Sequence, residues 1–220
     1  LYNEAHTPWD WHEDMFELAK EIGITIFSSP FDATSIDFLE KLNAPAYKIA
    51  SPELIDLNLI RRVSITGKPI ILSTGMANEV EIGNAINTVR ENGNNQIIIL
   101  HCTAAYPAPV NESNLITISE ISNQFNVLSG LSDHTIGTKI STYASILGAC
   151  FIEKHFTLDR DQGGVDSEFS IDPIELKKLV KDLRETKKIM GKVAFTPTKS
   201  EANVYKTRRS LYVVKDIPKG

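Results

Sequence analysis

Pro69-Ile-Ile-Leu-Ser-Thr-Gly75 and, one helical stretch later, Gln96-Ile-Ile-Ile-Leu-His-Cys-Thr103 decide the fold class. Each is a short apolar run that ends in a cluster of hydroxyl, thiol or imidazole side chains. Between them Asn78–Asn92 carries apolar residues at helical spacing. A buried strand, an amphipathic helix and another buried strand make a βα unit of a parallel sheet. The same cadence runs outward in both directions. Thr25–Ser28, Ala46–Ala50, Val127–Leu131 and Ala149–His155 complete six strand-like runs, and Ala33–Leu42 and Thr138–Leu147 read as further helices. Asp32 stands ahead of Ile36, Leu39 and Leu42 as an N-cap candidate. Strand spacing of about 22 to 30 residues is that of βα units.

Two architectures share this cadence. A doubly wound sheet gathers its ligand site at one switch point, whereas a (β/α)8 barrel assembles one from the C-terminal ends of all its strands. Here nearly every run ends in polar chemistry: Ser28-Ser29, Lys48 with Ser51, Ser73-Thr74, His101-Cys102-Thr103, Ser132-Asp133-His134 and Glu153-Lys154-His155. No G-x-G-x-x-G follows the first run. The expectation is an α/β TIM barrel lacking its first two strands, with residues 1–195 as the partial barrel and 196–207 as a linker. Ile174–Met190 reads as a long helix, and Arg208-Arg-Ser-Leu-Tyr-Val-Val214 as the opening strand of a second small domain over 208–220. The absence of an initiating Met fits a fragment.

Composition bounds the partners. The 220 residues are 42% hydrophobic and 23% charged, with a net charge of −5, which gives no reason to expect nucleic acid or an anionic membrane. No apolar run approaches the roughly 18 to 20 residues of a membrane span, and Leu1–His12 is too polar for a secretory signal. Cys102 and Cys150 lack any C-x-x-C spacing and read as reduced thiols of a cytoplasmic protein.

Three features point to chemistry. His134 and His155 end consecutive strands, each with a carboxylate nearby in sequence, and two such imidazoles could hold one divalent metal with positions left open. Each could equally be a hydrogen-bonded histidine at a barrel mouth. Lys48 lies inside an apolar strand and needs an anion, a phosphate or carboxylate ligand or simply Glu53, unless it serves as a Schiff-base nucleophile. Ser29, Ser51, Ser73 and Ser132 would ring the same mouth with hydroxyls suited to a phosphate ester. Asp159–Asp166 is a charged, glycine-bearing loop able to cover a substrate, though most such loops are merely solvated.

Several motifs in order resemble the sialic acid synthase family: Phe27-Ser-Ser-Pro-Phe-Asp32, Tyr47-Lys-Ile-Ala-Ser-Pro-Glu53, Lys68-Pro-Ile-Ile-Leu-Ser-Thr-Gly-Met76, Leu100-His-Cys-Thr103, Gly130-Leu-Ser-Asp-His-Thr135 and Glu153-Lys-His-Phe-Thr-Leu-Asp159. Leu1–His12 and Gly163-Gly-Val-Asp-Ser-Glu-Phe-Ser170 look most like the pseudaminic acid synthase branch. The resemblance implies condensation of phosphoenolpyruvate with an N-acylated amino sugar, with 2,4-diacetamido-2,4,6-trideoxy-L-altrose expected for this branch. Neuraminate and legionaminate synthases are the alternatives. It implies a divalent ion, Mn2+ before Mg2+ or Co2+, on His134 and His155. Phosphoenolpyruvate falls to Ser29, Lys48, Ser51, Ser73 and Ser132, the sugar to Glu53, Tyr106 and Asp166, and catalytic work to His134, His155, Lys48 and Glu53. Ser29 replaces a Thr common in relatives, and Ala104 an Asn of the neuraminate enzymes. The resemblance also implies that 208–220 begins an antifreeze-like (SAF) domain, and that the full-length protein is a domain-swapped homodimer. A Schiff-base aldolase using Lys48 or Lys154, a metal-dependent hydrolase and a non-catalytic fragment are the more distant alternatives.

Overall fold

A computed structural model describes residues 7–220, so the first six residues of the Leu1–His12 motif lie outside it. The chain divides into two units, Leu1–Ile189 and Met190–Gly220. In the first, helix α1 (His12–Ile22) precedes α2 (Ala33–Lys41), and strand β1 (Tyr47–Ile49) leads through a 3-10 turn at Pro52–Ile55 into α3 (Leu57–Ile65). Then follow β2 (Ile70–Ser73), α4 (Glu79–Glu91), β3 (Ile97–Cys102), α5 (Ile116–Phe125), β4 (Leu128–Asp133), α6 (Lys139–Ile146), β5 (Ile152–Lys154) and α7 (Pro173–Met190). The helix starts are written locally. Asp32 and Ser35 form a capping box on α2, Asn78 and Glu81 another on α4, and Asp56 accepts from the first amides of α3.

All strand pairs are parallel, and the sheet order is β1-β2-β3-β4-β5. Chain order is kept without the reversal that marks a doubly wound sheet, so the sheet is a parallel half-barrel. Register and pleat together sort the side chains. Tyr47, Ile49, Ile70, Leu72, Ile97 and Ile99 face the helices and are buried in the main core. Lys48, Ser73, Cys102, Ser132 and Glu153 fall on the opposite, inner face.

Two expected strands differ. Thr25–Ser28 contributes only an isolated bridge, Ser28 to Tyr47. Arg208–Val214 forms no strand. The second unit contains a 3-10 turn at Lys199–Glu201 and the short helix α8 (Ala202–Tyr205), with Thr198 and Glu201 forming a capping box. No helix among the described residues is long and apolar enough to cross a membrane.

Candidate functional site

The inner-face side chains meet at the C-terminal ends of the strands. Lys48 is buried at 7% exposure. Its ammonium donates to the Ile49 carbonyl at 3.3 Å and stands 3.5 Å from Glu153 Oε1. The Ser132 hydroxyl donates to that same oxygen at 2.6 Å. The anion that meets Lys48 is therefore Glu153, four strands across the sheet, and not the sequence neighbour Glu53. A buried cation is tolerated because a carboxylate with its own hydrogen bond answers it.

His134 and His155 follow β4 and β5, with ring centroids 5.2 Å apart and planes at 65°. His134 Nδ1 lies 3.0 Å from the Thr103 carbonyl oxygen and 3.8 Å from Cys102 Sγ. A carbonyl can only accept, so Nδ1 carries a proton, and in the neutral ring Nε2 keeps its lone pair. His155 Nδ1 stands 3.3 Å from Asp166 Oδ2, a half-exposed carboxylate beside the ring. Burial works against the charged form of His134. The Cys102 thiol, the Thr103 carbonyl and the charge of Glu153 together outweigh it and raise the imidazole above its ordinary range. Burial, then the neighbouring His134, lowers His155. Cys102 is drawn down despite its burial by hydrogen bonds to His134, Ser51 and Ser132. Aromatic rings wall the pair: Tyr106 lies 4.3 Å from His134, and Phe169 lies 5.0 Å from His155.

This donor set can be tested against a metal. Among the described residues no group of three or more His, Cys, Asp or Glu side chains is placed to hold one. Two neighbouring imidazoles fall short of a closed structural zinc site. They do fit a six-coordinate divalent ion that takes its remaining ligands from water and substrate oxygens. The carbonyl and carboxylate behind each ring are the outer partners that such ligands have.

The other expected residues are distributed unevenly. Ser51 Oγ accepts from the Gly75 amide at 3.0 Å and approaches Cys102 Sγ at 3.6 Å, linking it to the histidine cluster. A Cβ on Gly75 would meet Ser51 Oγ at 2.7 Å and Ala104 Cβ at 2.8 Å, so this position needs glycine. The Ser73 hydroxyl is buried without a partner among the described residues, as is Glu53 Oε2. Burial raises the Glu53 carboxyl, and the charge of Lys48 only partly offsets this. Tyr106 and Asp166 stand at the imidazoles as described. Ser29 follows Ser28, which bridges Tyr47, and lines a cleft of about 360 Å3 with Trp9, His12 and Phe38.

Three participants escape sequence reasoning. Cys102 joins Ser51 to His134, and its inward phase with Ser132 is the signal that could have found it. Glu153 stands out in the sequence only as a carboxylate near His155, not as the hub of Lys48 and Ser132. Phe169 had no local signal. It reaches His155 because the chain folds back after the Asp159–Asp166 loop, where Ile171 donates its amide to the His155 carbonyl. Two neighbours face away. Asp133 is not a carboxylate at the mouth, and Lys154 is paired with it, buried, on the helix side.

Residues 1–194 match the NeuB family. The whole chain is 42% identical to a pseudaminic acid synthase of Helicobacter pylori, of which it covers 65%. Over 95% of its length it is 43% identical to an N,N'-diacetyllegionaminic acid synthase of Campylobacter jejuni, covering 64% of that protein. Among solved structures it resembles the N-acetylneuraminic acid synthetase of Leptospira borgpetersenii in complex with citrate, at a TM-score of 0.87 and 32% identity. That match covers 94% of this chain and 72% of the other. The chain thus spans less than two thirds of the length of these curated relatives.

Proposed function

Because this chain belongs to the NeuB family, we propose that it condenses phosphoenolpyruvate with an N-acylated amino sugar to give a nonulosonic acid and phosphate. The observation that carries the reading is a pair of imidazoles 5.2 Å apart whose strands also bring Ser132 and Glu153 against the buried Lys48. Such a site offers a cation and hydroxyls to a phosphorylated acid beside two nitrogen ligands. Three pseudaminic acid synthases, 40% to 42% identical over the whole chain, favour 2,4-diacetamido-2,4,6-trideoxy-L-altrose as the sugar. The legionaminic acid synthase at 43% identity keeps its substrate as the second reading.

The proposed roles are these. Lys48, Ser51, Ser73 and Ser132 hold the phosphate and carboxylate of phosphoenolpyruvate, and Ser29 joins them from the neighbouring cleft. Ser132 turns from Glu153 to the ligand as it does so. A divalent ion on Nε2 of His134 and His155, Mn2+ before Mg2+ or Co2+, would supply Lewis-acid polarisation of the sugar's aldehyde oxygen. The Thr103 carbonyl orients the His134 ring through Nδ1, and the Asp166 carboxylate lies beside His155 Nδ1. Tyr106 and Asp166 flank the sugar, with Glu53 beside Lys48. The methylene carbon of phosphoenolpyruvate then bonds to the aldehyde carbon, water adds to the carbon bearing phosphate, and the C–O bond breaks to release phosphate. Positioning and fixed charge carry most of the catalysis.

The finer architecture belongs to the same proposal. Two further strands would close the half-barrel into a (β/α)8 barrel, and residues 208–220 would open an antifreeze-like domain exchanged in a homodimer. The cytoplasm, where phosphoenolpyruvate is available, is the proposed compartment. Phosphate release from phosphoenolpyruvate with Mn2+, measured on the full product of the gene, tests the reading. Release with the altrose sugar and not with N-acetylmannosamine is expected. Preference for N-acetylmannosamine would overturn the branch, and release with no acylated amino sugar, the legionaminic precursor included, would overturn the activity.

A further inference from the structure

Behind the two imidazoles, on the helix side of the sheet, lies an ion pair that the proposed reaction does not use. Lys154 Nζ stands 3.1 Å from Asp133 Oδ2, with the side chains 4% and 1% exposed. The carboxylate is saturated. Oδ1 accepts from the Thr135 amide at 2.9 Å and its hydroxyl at 2.8 Å, while Oδ2 also accepts the Ser141 hydroxyl at 2.5 Å. Lys154 donates in addition to the Thr135 carbonyl. The pair therefore ties β5 to β4, to the turn after β4 and to α6.

Its place in the register gives it a purpose. The β4–β5 ladder runs Leu131 to Ile152, Ser132 to Glu153 and Asp133 to Lys154, and ends there. The next residue on each strand is a histidine. Because side chains alternate across a strand, pinning Asp133 to Lys154 on one face sends His134 and His155 out together on the other. Each histidine is also held from its own side: the His134 carbonyl accepts the Ala108 amide and its Nδ1 faces the Thr103 carbonyl, while the His155 carbonyl accepts the Ile171 amide. Beyond the last ladder pair, the Asp133–Lys154 contact is what ties the two strands to each other. An apolar pair would fill the same space without desolvating two charges, so what the ions add is register.

We propose that Asp133 and Lys154 are positioning residues that set the spacing and facing of His134 and His155, and through them the affinity for a divalent cation. The inference rests on the two-imidazole site proposed above.

Lys154→Met, the apolar double variant Asp133→Leu/Lys154→Met and the charge-conserving Lys154→Arg test it in the full chain. Two quantities are read: the nuclear Overhauser contact between the His134 and His155 rings without metal, and Mn2+ affinity by spin-resonance titration. The first two variants should fold, by circular dichroism, yet lose the ring contact and bind Mn2+ about ten- to a hundredfold more weakly. Lys154→Arg should restore both. A folded double variant that keeps the ring contact and binds Mn2+ within about twofold of the parent would overturn the proposal. If the double variant does not fold, Asp133→Asn, which keeps the shape and removes the charge, decides by the same two criteria. If the parent binds no Mn2+, the metal reading fails while the ring contact still decides the positioning role.

Discussion

An ammonium at 7% exposure must have an anion, and in the free chain Lys48 has Glu153. On the proposed reading phosphoenolpyruvate would bring two anionic groups, replacing one partner of Lys48 with another and freeing the Ser132 hydroxyl that Glu153 now holds. Lys48→Met removes the charge while nearly keeping the volume. It should lower kcat/KM for phosphoenolpyruvate by about 10^2- to 10^3-fold, as loss of one fixed electrostatic donor does, and leave the KM of the sugar nearly unchanged. Steady-state kinetics with each substrate varied in turn would check this. An unchanged value for phosphoenolpyruvate would remove Lys48 from its site. At this scale the sequence was half legible. A lysine inside Ala46-Tyr-Lys-Ile-Ala50 announces a buried charge, but its partner is chosen by sheet register, which no local window displays.

Among the elements, the helix starts and strand phases were readable because caps and alternation are local. The failures share a cause: a strand exists through its partner. Arg208–Val214 has the β-branched and aromatic residues of a strand, but no ladder receives it among the described residues, and Thr25–Ser28 meets its neighbour only at Ser28. The junction of α2 with β1 and β2 shows what partnership adds. Glu40 Oε1 accepts from the hydroxyl of the buried Tyr47 and from Lys68 Nζ, both at 2.5 Å. Burial works to raise this carboxyl, but the Lys68 and Tyr47 hydrogen bonds and the Lys68 charge prevail and hold it below its usual range. A depressed carboxylate stabilises the fold above its unfolded pKa, and that stability is lost as pH falls through the folded one. The acid limb of stability below about pH 4.5 should therefore be shallower in Glu40→Gln. At neutral pH the variant should lose about 1–3 kcal/mol, because the hydrogen bonds to Tyr47 and Lys68 lose their charged acceptor. Urea melts across pH 3 to 7 would separate the two effects, and parallel acid limbs would remove Glu40 from the acid transition.

For the first unit as a whole, the decisive fact is where its sheet stops. β1, extended by the Ser28 bridge, and β5 are the two edges of the half-barrel. Ile24 and Phe31 beside the first edge are 63% and 64% exposed, and Phe156 and Leu158 beyond the second are 47% and 76% exposed. Parallel sheets are rarely left with open edges and bare apolar flanks, since each offers unpaired backbone groups and surface to another chain. The sequence carried the signs of this state, six strand-like runs where a barrel takes eight, but a count cannot say how an edge is covered. If closure into a (β/α)8 barrel is correct, the edge amides report it. In the 220-residue chain, amides of Thr25–Ser28 and β5 that point out of the ladder should exchange with deuterium almost as fast as in an unfolded peptide. In the full gene product the same amides should be slowed by about 10^2-fold or more, because a strand on each edge would pair them. Amides of β3, paired on both sides already, serve as the internal control and should not change. Equal exchange at the edges in both proteins would mean that no strand joins there, and the half-barrel would then have to be covered by some element other than its own sheet.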